Sequence, residues 1–337
     1  TNNISLSGGT ADFKYFASIG AYNQQGSIAN TSYDRYNVRM NIDGNITKNL
    51  SMTLGIAGRI SEQIEPGLTA GKGNAWASVF QQALLMYPYL PETHDGLPVG
   101  SLNSANGNQN PLAARDLSGK QSFNSTVIET NATLRWEVPW IPGLQFRVLG
   151  SFDKSFSTKK IESRAYQLSV WNQTTKSWTT EWARHSSAGV SAVNQWQNEV
   201  MEYTVQPSVE YENTFGVHHI KGMFLYEYSR TEGQSLSAGK EGYTITDIMD
   251  ISYGSSILPA LVAGGHSTDR RAGYVTRFNY DYDERYLAEV TVRIDGTPYL
   301  PSSTRWGVFP GVSFGWRISE EPWLKENTPW LDNLKIR

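Results

Sequence analysis

The chain has 337 residues, with 29 Lys and Arg against 32 Asp and Glu, and its formal net charge of −3 gives neither a basic footprint for nucleic acid nor a strong field for steering an acidic ligand. It has no cysteine, which excludes a disulfide framework and a thiolate metal site and fits an oxidising envelope compartment. Aromatics are 12% and charged residues only 18%, yet mean hydropathy is −0.44 and the longest apolar stretches, such as 257–263, are far too short for a membrane helix, so any membrane role falls to strands, whose alternating residues average out.

The opening Thr1-Asn2-Asn3-Ile4-Ser5 shows no leader-like basic and apolar regions, and the end, Leu334-Lys335-Ile336-Arg337, stops inside an expected strand; both read as cuts through a larger protein. Between them the dominant period is two, that of a strand. Residues 33–43 set Tyr36, Val38, Met40 and Ile42 against Arg35, Asn37, Arg39, Asn41 and Asp43. Residues 128–138 set Ile128, Ala132, Leu134, Trp136 and Val138 against Glu129, Asn131, Arg135 and Glu137. Residues 201–211 place Met201, Tyr203, Val205, Pro207, Val209 and Tyr211 opposite Glu202, Thr204, Gln206, Ser208 and Glu210. Residues 286–295 repeat the pattern, with Tyr286, Ala288, Val290, Val292 and Ile294 opposing Glu289, Thr291, Arg293 and Asp295. The pattern predicts strands near 2–9, 12–23, 33–44, 49–60, 124–138, 143–156, 199–213, 218–230, 271–283, 286–296 and 305–318, with a last one from 333. Many exceed the ~5–6 residues of globular strands and approach the ~9–11 that cross a bilayer at a tilt.

The connections alternate in length. Short turns are expected near 8–11, 43–48, 139–143, 215–218 and 283–285, and long links at 61–123, 157–198 and 231–270. Residues 76–86, with Val79, Phe80, Leu84 and Leu85, read as one short loop helix ending before Pro88 and Pro91. Asp95-Gly96 and the Asn/Gly-rich 103–110 read as turns. Aromatics gather beside the short turns: Trp136 with Trp140, Tyr280 and Tyr282 with Tyr286, Trp316 with Trp323. Such rings favour a membrane interface.

In the expected strands Lys, Arg, Asp and Glu fall on one face only, as a lipid-facing wall requires, since a charge at the lipid midplane costs roughly 2–4 kcal/mol. A soluble β-sandwich or propeller would alternate similarly. Strand length, segregated loop lengths and tyrosines at the ends of the apolar face favour the antiparallel transmembrane β-barrel.

Blocks of sequence then narrow the reading. Ser7-Gly8-Gly9-Thr10, Tyr15-Phe16-Ala17-Ser18-Ile19-Gly20, Gln25-Gly26 and the run 33–41 are followed by Arg277-Phe278-Asn279-Tyr280-Asp281-Tyr282, Arg285-Tyr286-Leu287 and Arg293-Ile294-Asp295-Gly296. Arg305-Trp306-Gly307-Val308-Phe309-Pro310, Gly315-Trp316-Arg317-Ile318-Ser319-Glu320-Glu321 and the run 331–337 complete the series. In order and spacing the chain resembles the barrel of SusC-like (SusC/RagA) TonB-dependent outer-membrane transporters; Thr297-Pro298-Tyr299-Leu300-Pro301 departs from the family's usual loop. The resemblance implies an all-β chain whose residues 1–337 supply about half of a 22-strand barrel, with long extracellular loops. It further implies an internal plug, a SusD-like surface lipoprotein as a lid, and energy from the TonB complex, none of whose coupling parts is recognisable here. An open half-barrel could not sit alone in lipid, so the missing strands are expected on either side of this stretch.

Enzyme-like patterns have blander readings. Ser151 and Lys154, like Ser157 and Lys160, fit S-x-x-K without the accompanying motifs. Asp281, Asp283 and Glu284 read as a solvated turn rather than calcium ligands or a glycosidase pair. His218-His219 point to opposite strand faces, and Gly71-Lys72-Gly73 lacks phosphate-loop spacing. No catalytic residue, metal or cofactor is expected.

Two residue sets remain as candidates. The long loops carry Trp76, Tyr87, Tyr89, Trp171, Trp178, Trp182, Trp196 and Tyr299, rings that either stack on sugars or pack the loops and the lid. Arg35, Arg39, Arg135, Arg147, Glu202, Glu210, Arg277, Glu289 and Arg293 are expected to face the lumen and hold the plug, with lining of a passage as the other reading. The expected function is import of oligosaccharides, or of peptides as the family also implies, across the outer membrane, with lipid, a SusD-like lipoprotein and TonB as partners. A passive porin and a soluble carbohydrate-binding or hydrolytic β-protein are the alternatives.

Overall fold

The computed structural model describes every residue except 68–74, 102–108, 184–188 and 329, and leaves the side chains of 75–78 undescribed. In chain order its elements are β1 (Asn2–Gly9), β2 (Phe13–Gln25), β3 (Ser32–Thr47), β4 (Leu50–Pro66), α1 (Ala75–Leu85), β5 (Thr93–His94), β6 (Leu97–Pro98), α2 (Pro111–Leu117), β7 (Gly119–Glu137) and β8 (Leu144–Ser163). There follow β9 (Gln167–Asn172), β10 (Ser177–Trp182), β11 (Ala192–Phe215), β12 (His218–Glu241), β13 (Ser256–Ile257), β14 (Ala263–Tyr282), β15 (Tyr286–Gly296), β16 (Trp306–Arg317), α3 (Pro322–Lys325) and β17 (Lys335–Ile336). One 13-stranded antiparallel sheet runs as a meander, β1-β2-β3-β4-β7-β8-β11-β12-β14-β15-β16-β17, with β13 added beside β12.

Every expected strand is present. Those bordering the long links run further than the alternation indicates: β8 reaches Ser163, β11 begins at Ala192, β12 extends to Glu241 and β14 begins at Ala263. The added stretches are polar on both faces, as in Thr231-Glu232-Gly233-Gln234-Ser235. Beyond the lipid both faces of a strand meet water, so the ladder continues without a period-two signature.

Partners across an antiparallel ladder share a face, so the register assigns each side chain to one side of the sheet. One face carries rows such as Ile4, Ile19, Val38, Gly58 and Ile128, or Phe278, Val290 and Val312. Among the described residues no layer covers it: Ile4 is 79% exposed, Ile19 67%, Val312 68% and Phe314 71%. A sandwich would bury this face against a second sheet; here lipid is the remaining partner. Aromatic contacts band its short-turn end, with Trp136 5.9 Å from Trp140 and 5.8 Å from Phe146, and Tyr286 6.2 Å from Tyr282 and 6.4 Å from Trp316. A second band, Tyr226, Tyr274 and Trp306, lies towards the long loops.

The expectation that this face excludes charge holds in its middle and fails at its outer end. Asp34, Glu62, Lys154, Glu199, Arg230, Glu232 and Arg270 share its register. All stand ten or more residues up their strands from the short turns, as Lys154 does from Leu144 and Arg270 from Tyr282. At ~3.3 Å per residue and ~40° of tilt, ten residues rise roughly 25 Å, the height of a barrel's apolar band. The charges therefore mark the outer lipid boundary.

Pro207 in β11 has no N–H to give, and the β11–β12 ladder skips Gln206 and Pro207. On the polar face Gln206 Nε2 donates to Glu227 Oε2 at 2.6 Å across the gap.

The turns follow local chemistry. Asp283 and Glu284 both have positive φ (53° and 55°), the geometry of a two-residue type I′ hairpin, and Arg285 N donates to Tyr282 O at 3.0 Å. Asp95 and Gly96 (φ 51° and 77°) form the same kind of turn between β5 and β6, as expected. The connection 318–334 departs from its neighbours by being long on the short-turn side. The half-buried Arg285 and the exposed Tyr286 anchor it through Glu321, whose carboxylate accepts from Tyr286 Oη at 2.6 Å, Trp316 Nε1 at 2.9 Å and Arg285 Nη1 at 3.1 Å. The Tyr286 bond first, then that of Trp316, holds this carboxyl below its ordinary range.

The loop helix is present as α1, and further elements that the sequence reading does not contain appear inside the long links, α2, β9, β10 and β13 among them. Asn110 caps α2, its Oδ1 accepting from Ala113 N at 2.8 Å and its Nδ2 donating to Val99 O at 2.8 Å. β9 and β10 form a hairpin through 173–176, in which Lys176 takes φ 53°. Of the expected 103–110 turn region, 103–108 lie outside the described residues. The two links pack together: Val99 bridges Ser169, and Ala113, Tyr166, Leu168, Val170 and Ala183 form a small buried core above the sheet. Burial raises the Tyr166 hydroxyl well above its ordinary pKa.

Candidate ligand-facing surface

All nine expected charges, Arg35, Arg39, Arg135, Arg147, Glu202, Glu210, Arg277, Glu289 and Arg293, share the polar face by register. Four of them fall into three local arrangements. Arg135 and Arg147 are direct cross-strand partners near the short turns. Glu210 joins a ladder in which it accepts from Gln145 Nε2 at 2.7 Å and pairs with Lys221 at 3.1 Å. Arg293 bridges Asp295 at 2.7 Å and Glu227 at 3.7 Å.

Glu202 exposes what the sequence reading missed. Across β7, β8 and β11 the register aligns Glu129, Asp153 and Glu202 as direct neighbours in one row. Like charges placed opposite one another destabilise a sheet by a few tenths to ~1 kcal/mol per pair. Glu129 is legible as a polar-face residue, but only the strand order brings Asp153 between it and Glu202. A row of three carboxylates suits a cationic counterpart, and the Arg135–Arg147 pair an anionic one.

The loop aromatics separate. Trp178 stacks on His94 with centroids 4.2 Å apart and meets Trp171 edge-on at 5.4 Å, so both take part in packing within the cap. Tyr87 and Tyr89 stack at 5.5 Å, with Tyr89 71% exposed. Tyr299 is 74% exposed and Trp182 38%. Trp196 is not a loop residue: β11 begins at Ala192, so Trp196 lies within the ladder on the polar face, paired with Lys159 and Ser237. Trp76 lies on α1, and its side chain is outside the described residues.

Within the cap, Ser169 Oγ lies 3.2 Å from His94 Nδ1, and Asp95 Oδ2 lies 3.6 Å from the same nitrogen. A hydrolytic triad needs the acid on the opposite ring nitrogen from the nucleophile. This trio lacks that geometry, and Ser169 is buried. Elsewhere Ser151 and Lys154 of the S-x-x-K match sit on opposite sheet faces, Asp283 pairs with Arg285 at 2.7 Å, and Glu284 faces Arg317 at 3.9 Å. His218 meets Tyr280 Oη at 2.7 Å, while His219 on the other face meets Glu212 at 3.2 Å. Gly71-Lys72-Gly73 lies outside the described residues.

At the rim, α2 is tied to the β2–β3 turn. Asn30 Nδ2 donates to Asp116 Oδ1 at 3.2 Å and to Arg115 O at 3.1 Å. The hydrogen bond from Arg115 is the largest influence holding the Asp116 carboxyl below its ordinary range. Beside this turn is a cavity of about 370 Å³ lined by Gln24, Tyr33, Gln63, Glu65 and Phe80 among others.

No protein-family model matches the chain. It is 23% identical over 346 residues to the TonB-dependent receptor P3 of Formosa agariphila, an alignment covering 97% of this chain and 31% of that receptor. To the TonB-dependent receptor SusC of Bacteroides thetaiotaomicron it is 42% identical over 64 residues, 19% of this chain and 6% of SusC. Among solved structures, the RagAB peptide transporter superposes with a TM-score of 0.70 at 19% identity over 95% of this chain and 34% of that one. At that identity the structural likeness speaks for the fold alone. The chain spans about a third of the length of the receptors it matches along its whole extent.

Proposed function

We propose that the chain is a barrel segment of a SusC-like TonB-dependent transporter of the Gram-negative outer membrane, and that it walls the passage of an importer of oligosaccharides. The observation that carries this reading is the two-sided sheet. Its uncovered apolar face suits lipid, and its other face sets charges and amides along strands that run on into a folded loop cap. The acidic row of Glu129, Asp153 and Glu202 and the Arg135–Arg147 pair suit the docking of a charged plug, whose movement, driven through TonB, would open the passage. Tyr89, Tyr299 and Trp182 offer rings at the outer side, where sugar faces would stack, or where a SusD-like lipoprotein would close over the mouth. Import of this kind makes and breaks no bond, so the role is not enzymatic. A peptide cargo is the second reading, since the RagAB peptide transporter is built on the same fold.

The test is transport by cells carrying or lacking the full-length gene, with and without TonB, offered oligosaccharides or peptides. Its companion is purification from outer membranes in mild detergent with mass spectrometry of what co-purifies. Oligosaccharide uptake that needs both the gene and TonB, with a stoichiometric SusD-like lipoprotein, is the expected result. Uptake of peptides alone replaces the cargo; uptake persisting without TonB replaces the importer with a porin. Recovery in the soluble fraction contradicts the whole reading.

A further inference from the structure

On the lipid-facing side, at the outer boundary, β12 and β14 place two arginines directly opposite each other, Arg230 and Arg270. Two cations on this face are matched. Lys154 on β8 pairs with Glu199 of β11 at 2.8 Å, and Arg230 pairs with Glu232 on its own strand. Arg270 is exposed and has no carboxylate partner among the described residues. The ion pair of its neighbour Arg271 with Asp269 lies on the other face of the sheet. Like charges opposite one another are unfavourable unless a counter-charge joins them.

The surroundings say what that counter-charge is. Arg230 is held over the Tyr203 ring, its guanidinium carbon 5.9 Å from the centroid. The row immediately inward is Tyr228, Ala272, Gly296 and Trp306, and below it Tyr274 contacts both Tyr226 at 5.1 Å and Trp306 at 5.8 Å. Below these the face is apolar, with Phe224, Phe278 and Val290 exposed. Arg270 stands twelve residues from Tyr282 at the short turn, a rise of roughly 30 Å, which is lipid headgroup level. The adjoining link, 297–305, contains no acidic residue. That link adds a cation, Arg305, so the local charge is the two facing arginines and Arg305 against Glu232, above aromatic and then aliphatic surface. Guanidinium groups bind phosphate oxygens bidentately.

We propose that Arg230 and Arg270 form a seat for the phosphate of an outer-leaflet lipid, with the acyl chains lying on the apolar face below. The site is on the opposite face of the sheet from the passage and does not depend on the cargo.

The full-length transporter, purified from outer membranes in mild detergent, is compared by native mass spectrometry as wild type, R270Q, R230Q/R270Q and K154Q. K154Q removes an equal charge from the same face but from a matched pair. Retained phosphorylated lipid should fall roughly tenfold or more in R270Q and further in the double variant, remain near wild type in K154Q, and resist excess inorganic phosphate. Equal retention in R270Q overturns the proposal, as does equal loss in K154Q. Displacement by inorganic phosphate alone identifies a simple anion site and overturns it too. R270Q leaves the Arg230–Glu232 pair in place, so the test stands if the double variant does not fold. Uptake is not the readout, so the result is independent of the importer reading.

Discussion

The membrane-level meander and the loop cap solve the same problem by opposite means. The meander has almost no buried side chains; its geometry is fixed by continuous ladders, and its apolar face is completed by lipid. The cap packs a small water-excluding core, with Leu168 and Val99 fully buried, and uses side-chain caps such as Asn110 where ladders are absent. The difference teaches where each is fragile: the cap to loss of volume, the meander to charge on one face only.

That contrast gives graded expectations. Leu168→Ala should cost the cap about 2–5 kcal/mol through lost contacts and a residual cavity. Limited proteolysis should then cut within 67–118 and 164–191 while the barrel keeps its heat-modifiable migration. If both regions fail together, they are one cooperative unit. Next, Val290→Lys should cost roughly 2–4 kcal/mol in folding into lipid vesicles, whereas Thr291→Lys on the other face should change it little. Equal effects would deny the two faces their different solvents. Asn110→Ala should cost about 1 kcal/mol, seen as faster hydrogen exchange in α2. The smallest effect concerns pH. The Asp116 carboxyl is held below its ordinary range, so the stability it lends the α2–turn tether is present above that range and is lost as pH falls through the lowered value. Hydrogen-exchange protection around Asn30 and α2, relative to the intrinsic rate at each pH, should fall in acid, and Asp116→Asn should flatten that dependence.

The same contrast explains what the sequence disclosed. Residues 33–43 and 286–295 alternate because one side meets lipid and the other water, so strands, faces and turns were legible within a few residues. The outer extensions were not, since 231–241 meets water on both sides and loses its period. The β9–β10 hairpin hid because its turn uses Lys176 at positive φ in place of Gly or Asn. α2 did announce itself through Asn110-Pro111, a capping residue followed by a first-turn proline, but the Asn/Gly-rich stretch before it read as turn. All nine candidate lumen charges were assigned to one face by parity alone. Their neighbours were not, because Glu129, Asp153 and Glu202 meet only through strand order. Trp196 was misplaced for the reason that shortened β11. The charges at the outer boundary, Arg270 among them, were missed because strict one-sidedness was extended past the lipid.

The central claim, that one face of this sheet meets lipid and the other water, has a direct test: these residues contain no cysteine, and the full-length protein without an introduced cysteine sets the labelling background. Single cysteines are placed in turn at positions 287–294 of β15 in the full-length protein in native outer membranes, then treated with a water-soluble thiol reagent and with a membrane-confined one. The account predicts alternation: Glu289, Thr291 and Arg293 positions react from water, and Ala288, Val290 and Val292 positions only from lipid. Water-soluble labelling of both sets alike would contradict it.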